Sequence, residues 1–312
     1  MIFVAGSANL DFVVRASHIP APAETVLGRD FQTFPGGKGA NQAVASARAG
    51  AVSTEMLLAL GADPYAGVIE ASLKSAGVGM HTLRVAEQPT GCAFICVSDT
   101  GENAITVAPG ANSSLRAAHL PSLAGATHLL MQLEIPLASV QAYAAQARQQ
   151  GVKVMLNAAP AQALPAQLLA LLDVLVVNED ELASLAHRQG SIAQALAQIA
   201  VPCVVVTLGA RGCLARLAGE FFTQPAYPVE VVDSTAAGDT FCGVLAAALS
   251  LGLGMQAALQ QASAAGALAC TRLGAQESIP HHADVQALLC RMPSASAEQH
   301  AALRSYCGLA SY

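Results

Sequence analysis

Short unbroken apolar runs alternate along this chain with longer stretches in which apolar residues recur at helical spacing. Residues 2–5, 54–60, 127–131, 152–156, 174–177 and 203–208 are runs of strand length, and most are separated by Ala-rich amphipathic stretches such as 64–76, 136–150 and 191–200. A strand covered on both faces reads as a continuous apolar run, and the helix that covers it carries one apolar stripe. The alternation therefore predicts a mostly parallel sheet with helices on both faces. Two stretches break the rhythm. Residues 12–34 and 90–107 hold strand-like residues with no helix between them, and Asp99-Thr-Gly-Glu-Asn103 reads as a hairpin turn. A further short strand is expected over Tyr227-Pro-Val-Glu-Val-Val.

Residues 240–271 carry no charge, which has the length of a membrane span. Gly252, Gly254, Gln256, Gln260 and Gln261 interrupt it, so two buried helices joined at Leu251-Gly-Leu-Gly254 are expected instead. Apolar residues make up 54% of the 312, enough for one large α/β domain or two smaller ones. No low-complexity linker marks a boundary apart from the polar tail at 293–299, so a single domain over 1–312 is expected. A net charge of −6, with no Lys/Arg cluster, argues against nucleic-acid binding. The eight cysteines form no C-x-x-C pair, and most lie in apolar segments, as reduced buried thiols do. Residues 2–10 include no basic segment or cleavage site, so a cytoplasmic protein is expected, with no membrane partner.

Candidate chemistry concentrates in two glycine-containing turns. Asp233-Ser-Thr-Ala-Ala-Gly-Asp-Thr-Phe241 precedes an apolar helical run. A turn into a helix leaves backbone N–H groups unpaired at the positive end of the helix dipole, and small residues let an anion approach them. Ala236, Ala237 and Gly238 are the residues for such an anion hole. Asp239 would stand beside it as a proton acceptor, although an acidic residue in a first helical turn is also an ordinary cap. The other turn, Phe34-Pro-Gly-Gly-Lys-Gly-Ala-Asn-Gln-Ala43, is no Walker A loop, since no Ser or Thr follows Lys38.

Together the two turns resemble the paired signatures of the ribokinase-like (PfkB) family of carbohydrate kinases. Five further stretches extend the match: Gly6-Ser-Ala-Asn-Leu-Asp11, Leu130-Met-Gln-Leu-Glu134, Asn178-Glu-Asp-Glu181, Thr207-Leu-Gly-Ala-Arg-Gly212 and Thr271-Arg-Leu-Gly-Ala-Gln276. The resemblance spans residues 3 to about 290. It implies a three-layer α/β sandwich with a small β-sheet lid formed by about 12–35 and 90–107, which often pairs with another subunit's lid in a homodimer. The implied reaction is transfer of a phosphoryl group from ATP to the 5-hydroxyl of D-ribose. Another sugar or a nucleoside remains open, with Phe12, Phe34 and Phe94 available for stacking, as does a catalytically silent sugar sensor.

By the same resemblance, Asp239 is the base. Asn9, Asp11, Gly37, Lys38, Asn41 and Glu134 ring the sugar, with Ala93, Ile95 and Val107 as apolar walls. Taken alone, Asn9 and Asp11 leave the first strand two residues apart and share a face, or simply form a turn. Lys38 alone could be a solvated lysine at a helix start. Asn178 and Glu181, which also read as a capping box, would organise Mg²⁺ and phosphate. Thr207, Gly209 and Gly238 would lie along ATP, and Ser263 stands where the family commonly has Asn or His near the adenine. Asp233, Thr235, Ala269, Arg272, Gly274 and Ser278 match the loops that bind a monovalent cation, usually K⁺.

Overall fold

The computed structural model describes the chain except residues 187–189, 293–294 and 310–312. Thirteen strands among the described residues form two sheets. The strands are β1 (Ile2–Ala5), β2 (Asn9–Ala16), β3 (Arg29–Gly36), β4 (Thr54–Gly61), β5 (Gly79–Val85), β6 (Gly91–Ser98), β7 (Asn103–Ala108), β8 (His128–Met131), β9 (Lys153–Asn157), β10 (Val174–Asn178), β11 (Cys203–Thr207), β12 (Gly212–Leu217) and β13 (Glu220–Pro225). The large sheet has the order β13-β12-β11-β10-β9-β8-β1-β4-β5. It is parallel from β5 to β11, and β12 and β13 add an antiparallel end.

Alternation along each strand sorts the core into two halves. Ile2, Val4, Met56, Leu58, Val174 and Val176 point to one face, and Phe3, Ala5, Leu57, Ala59, Leu175 and Val177 to the other. The helices are α1 (Lys38–Val44), α2 (Pro64–Ser75), α3 (Leu137–Gln149), α4 (Ala166–Leu169), α5 (Glu179–Leu185), α6 (Ile192–Gln198), α7 (Ala237–Ser250), α8 (Met255–Ala269), α9 (His282–Arg291) and α10 (Ala297–Tyr306). Helices α1, α2, α7, α8 and α9 cover the first face and α3 to α6 with α10 the second, giving the expected three-layer sandwich. The uncharged run 240–271 resolves into α7 and α8, and no described helix is long and apolar enough to cross a membrane. Of the polar tail, residues 293–294 lie outside the described part, and α10 takes up its end.

The smaller sheet, order β3-β2-β6-β7, is built from both stretches that broke the rhythm. Strands β2 and β6 are parallel, while β3 and β7 flank them antiparallel. At the β6–β7 turn Ser98 N donates to Glu102 O at 2.8 Å and Gly101 takes φ 86°.

Two local expectations are corrected. The segment from Tyr227 to Val232 is not a strand but an irregular loop leading to α7. Pro228 lacks the N–H that a ladder needs, Val231 and Val232 are exposed, and Val232 N donates instead to Cys270 O at 2.8 Å. Asn9 and Asp11 do not leave β1. They open β2, after the turn Gly6-Ser7-Ala8, and so belong to the smaller sheet.

Candidate active site

The parallel strands end on one side of the large sheet, where loops from β1, β8, β9, β10 and β11 converge, the usual place for a ligand in an open α/β sheet. The loop 37–39 packs directly on the loop 6–9. Gly37 has φ 89°, and a Cβ there would sit 2.7 Å from Asn9 N; one on Gly39 would sit 2.6 Å from Ser7 N. Ala40 N donates to Ser7 O at 2.9 Å, so the start of α1 is tied to the end of β1.

Helix α7 starts at Ala236, which takes the left-handed conformation at φ 59°, sparsely populated for a residue with a side chain. The backbone N–H groups of Ala236 and Gly238 have no hydrogen-bond acceptor among the described residues, whereas Ala237 N donates to Ser234 O at 3.3 Å. A Cβ on Gly238 would meet nothing within 4 Å, so this helix end is open to a ligand. Helices α1 and α7 touch at Gly243, where a Cβ would lie 2.5 Å from Gln42 O. Ser46 Oγ bridges the pair, 2.9 Å from Gln42 O and 3.0 Å from Gly243 O.

That contact brings Asp239 to the first motif. Asn41 Nδ2 donates to Asp239 Oδ2 at 2.9 Å, and Gln42 Nε2 donates to Oδ1 at 2.9 Å. Every residue expected to ring or wall the sugar lines one cavity of about 780 Å³: Asn9, Asp11, Gly37, Lys38, Asn41, Ala93, Ile95, Val107, Glu134 and Asp239, with Thr235 and Ala236 at its edge. Glu134 Oε2 accepts from Ser7 Oγ at 2.6 Å and from Lys38 N at 3.1 Å. Asn112 clamps the entry of β2: its Oδ1 accepts from Ala8 N at 3.0 Å, and its Nδ2 donates to Asn9 Oδ1 at 2.8 Å.

The cavity gathers carboxylates around one ammonium. Burial, then Glu134 and Asp239, push the Asp11 carboxyl up to about 7, with Lys38 opposing. Burial alone favours neutral Lys38, but Asp239, Glu134 and Glu181 outweigh it and hold the ammonium above its ordinary value. Such a site takes a neutral ligand rich in hydroxyls, each able to donate to a carboxylate and accept from an amide.

The other expected residues stand outside this cavity's wall, apart from Thr235 and Ala236. Asn178 and Glu181 form a reciprocal capping box at the start of α5: Glu181 N donates to Asn178 Oδ1 at 2.7 Å and Asn178 N to Glu181 Oε2 at 2.8 Å. Thr207 closes β11, Gly209 follows at φ 55°, and Ser263 Oγ lies 3.6 Å from Cys213 Sγ. Asp233 joins two loops, its Oδ1 accepting from Thr235 N at 2.9 Å and its Oδ2 from Gly274 N at 3.0 Å. Ala269 ends α8, Ser278 Oγ donates to Ala275 O, and Arg272 turns its side chain outward to Asp284 at 3.9 Å. Of the three rings expected to be available for stacking, Phe34 pairs with Asp11 on the cavity side and lines the neighbouring cavity with Asp11 and Ile95, and the other two face away. Phe12 and Phe94 pack on each other at 5.4 Å, and alternation along β2 and β6 puts them on the face opposite Asp11, Ala93 and Ile95.

The profile of the "pfkB family carbohydrate kinase" matches residues 1–282. The chain belongs to the pfkB family of carbohydrate kinases. The ribokinase of Haemophilus influenzae is 37% identical over 289 residues, covering 89% of this chain and 94% of that one. The Bacillus subtilis ribokinase is 36% identical over 293 residues, covering 92% and 99%. Among solved structures, Thermotoga maritima ribokinase superposes with a TM-score of 0.85 at 35% identity, over 93% of this chain and 99% of that one. Arabidopsis thaliana ribokinase, solved with ribose and ATP, superposes with a TM-score of 0.84 at 32% identity, over 92% and 98%.

In this pfkB kinase several polar residues at the site were given no role by the sequence, although Ser7, Gln42 and Gln132 stand inside the stretches that carry the resemblance. Ser7, Gln42, Asn112, Gln132 and Asn157 are buried and hydrogen-bonded around the cavity. Gln42 follows Asn41 in the first motif and Gln132 stands two residues before Glu134, so proximity to those residues was the available clue.

Proposed function

We propose that this protein is an ATP-dependent kinase that converts D-ribose to D-ribose 5-phosphate. The observation that carries the reading is the convergence of Asp239, its two amide donors and the open start of α7 on the cavity lined by Asn9, Asp11, Lys38, Asn41 and Glu134. In this reading the sugar's 5-hydroxyl oxygen bonds the γ-phosphorus as the bond to the ADP oxygen breaks, and Asp239 takes the hydroxyl proton. The free backbone N–H groups of Ala236 and Gly238, with that of Ala237 once it leaves Ser234 O, receive the transferred group's negative charge. Ala93, Ile95 and Val107 exclude water from the sugar.

ATP lies along Thr207, Gly209 and Gly238, with its adenine near Ser263. Mg²⁺ neutralises the triphosphate's charge when bound. Asn178 and Glu181 fit a role through water, because their capping box already uses Asn178 Oδ1 and Glu181 Oε2. For a monovalent cation, K⁺, the Asp233 carboxylate and backbone carbonyls at Thr235, Ala269, Arg272, Gly274 and Ser278 are the donors, and oxygen donors suit such a cation. The outward turn of the Arg272 side chain keeps its own charge away from that position.

The chain is read as one domain whose smaller sheet is a lid, and a homodimer through that lid is part of the reading. Phe31 and Phe94 are exposed on that sheet beside Phe12, an apolar surface that a second lid would cover. The free cysteines support a cytoplasmic setting.

A coupled assay of ADP release over ribose, 2-deoxyribose, fructose, xylose and nucleosides tests the reading. Ribose should give the highest kcat/KM. A higher value for another substrate reassigns the sugar, and ATP turnover with none of them leaves the sensor alternative. The Phe12–Phe94 stack, on the far face of its sheet, speaks against a nucleoside base in this cavity.

A further inference from the structure

Behind Asp239 runs a chain of buried neutral amides. Gln132 Nε2 donates to Gln42 Oε1 at 2.6 Å, and Gln42 Nε2 donates to Asp239 Oδ1 at 2.9 Å and to Asn157 Oδ1 at 3.0 Å. Asn157 Nδ2 in turn donates to Val176 O at 3.3 Å. Gln42 and Gln132 are both fully buried.

The polarity of this chain is fixed from its end. An ionised carboxylate only accepts, so Gln42 must present its nitrogen to Asp239. Its oxygen then faces the opposite way, where only a donor is tolerated, and Gln132 supplies one. A glutamine amide turned over by half a revolution has almost the same shape but opposite polarity. Turned over, Gln42 would set its oxygen against the Asp239 carboxylate, repelling it and leaving Asn157 Oδ1 without its donor. Asp239 is thus gripped on one oxygen by Asn41, at the sugar cavity, and on the other by an amide whose orientation is decided at the end of β8.

We propose that Gln132 is a positioning residue for phosphoryl transfer, acting through Gln42 to hold the Asp239 carboxylate in line with the attacking hydroxyl. The inference rests on the reading of Asp239 as the base. A second observation favours a functional role for Gln132 over a filling one. Its Oε1 has no hydrogen-bond partner although it is buried, a cost that an apolar residue of the same size would avoid. The Gln132–Gln42 bond is what that cost is set against. Glutamine also holds the carboxylate with neutral groups, whereas an Arg or Lys in its place would stabilise the charged form and weaken it as a base.

The test is a set of variants of the full chain: Gln132→Met, Gln132→Glu, Gln42→Met and the double variant Gln42→Met/Gln132→Glu, with Asp239→Asn as reference. Turnover is measured with saturating ATP, ribose affinity by calorimetry, and folding by thermal unfolding. Gln132→Met removes the donor and should lower kcat roughly tenfold, the scale of one lost hydrogen bond to a charged network, with ribose affinity within about twofold. Gln132→Glu offers an acceptor to Gln42, turns its amide over, and should cost more than Gln132→Met. In the Gln42→Met background the Glu substitution should add almost nothing, because the intermediary is gone. The inference is overturned if folded Gln132→Met keeps wild-type kcat, or if kcat and ribose affinity fall together. It is also overturned if Gln132→Glu is as harmful without Gln42 as with it. If Gln132→Glu does not fold, the Gln132→Met kcat and affinity still decide. Loss of turnover in Asp239→Asn alongside an unaffected Gln132→Met would sink this inference and leave the base reading standing; an active Asp239→Asn would remove the base reading itself.

Discussion

Asn41 Nδ2 and Asp239 Oδ2 are joined by a 2.9 Å hydrogen bond across 198 positions of sequence. The first motif and the second are therefore one unit: the residue that lines the sugar cavity also grips the proposed base. Any displacement of α1 against α7 moves both at once.

Replacing Asp239 by Asn should lower kcat by about 10²- to 10⁴-fold, the usual size of general-base catalysis, while ribose binding stays nearly intact. Asn is close in size but keeps one acceptor oxygen of the two, so either Asn41 or Gln42 must turn its amide to stay paired. Steady-state kinetics beside calorimetric ribose binding check this. More than about a tenth of wild-type kcat in the variant is incompatible with Asp239 as the base.

Asp11→Ala should raise KM for ribose roughly 5- to 150-fold, the equivalent of about 1–3 kcal/mol for a buried partner left unpaired, and leave KM for ATP almost unchanged. Equal shifts in both constants, or none, would take Asp11 out of the sugar site.

The same residue predicts a pH effect on stability. Burial, then Glu134 and Asp239, raise the Asp11 carboxyl from 3.8 to about 7, so between these values the folded chain holds a proton that the unfolded chain releases. The stability this contributes is complete below pH 3.8 and lost as the pH climbs to about 7. Asp11→Asn has no such proton, so its stability relative to wild type should rise across that window and level off above it. Urea unfolding of both proteins at several pH values tests it; parallel curves would refute the assignment.

K⁺ should raise activity over Na⁺ or Tris alone, and Asp233→Ala should abolish that difference, since Asp233 ties Thr235 to Gly274. Full activity in thoroughly dialysed, potassium-free enzyme would contradict the proposed cation loop.

Gly243→Ala should destabilise the fold by about 1–3 kcal/mol, as overpacking does, because its Cβ would stand 2.5 Å from the Gln42 carbonyl. It should also reduce kcat by moving Gln42 off Asp239. Chemical denaturation and turnover check the two effects together.

Much of the fold was legible because six of the parallel strands are buried on both sides and read as plain apolar runs; the expected 174–177 and the observed Val174–Asn178 differ by one residue. What escaped has a mixed pattern for a physical reason. Strand β5 is an edge strand paired only with β4, so His81 and Arg84 break its apolar character. Tyr227 to Val232 misled in the other direction, because valine content favours strands but Pro228 and exposed Val231 and Val232 do not. At the site, Asp239, Lys38 and Asn41 sit in motifs and were readable. The link from Gln132 to Gln42 was not, since it spans 90 positions and glutamine has no spacing rule that announces a buried partner.

Asn112 holds both the backbone and the side chain at the point where β1 gives way to β2, donating to Ala8 O at 3.2 Å as well as to Asn9 Oδ1 at 2.8 Å. The root of the smaller sheet is thereby bolted to the large one, while its far end, at the 99–102 turn, is exposed and, among the described residues, is tied by Asp99 only to Arg29 of the same sheet. Mechanically the sheet is a cantilever. Asn9 and Asp11 sit by the support, level with Ala93 and Val107 across the register, whereas Ile95 and Ile105 lie farther out along the beam. A tilt of such a beam about its root would displace the outer apolar wall at Ile95 and Ile105 most, and Asn9, Asp11 and Val107 least.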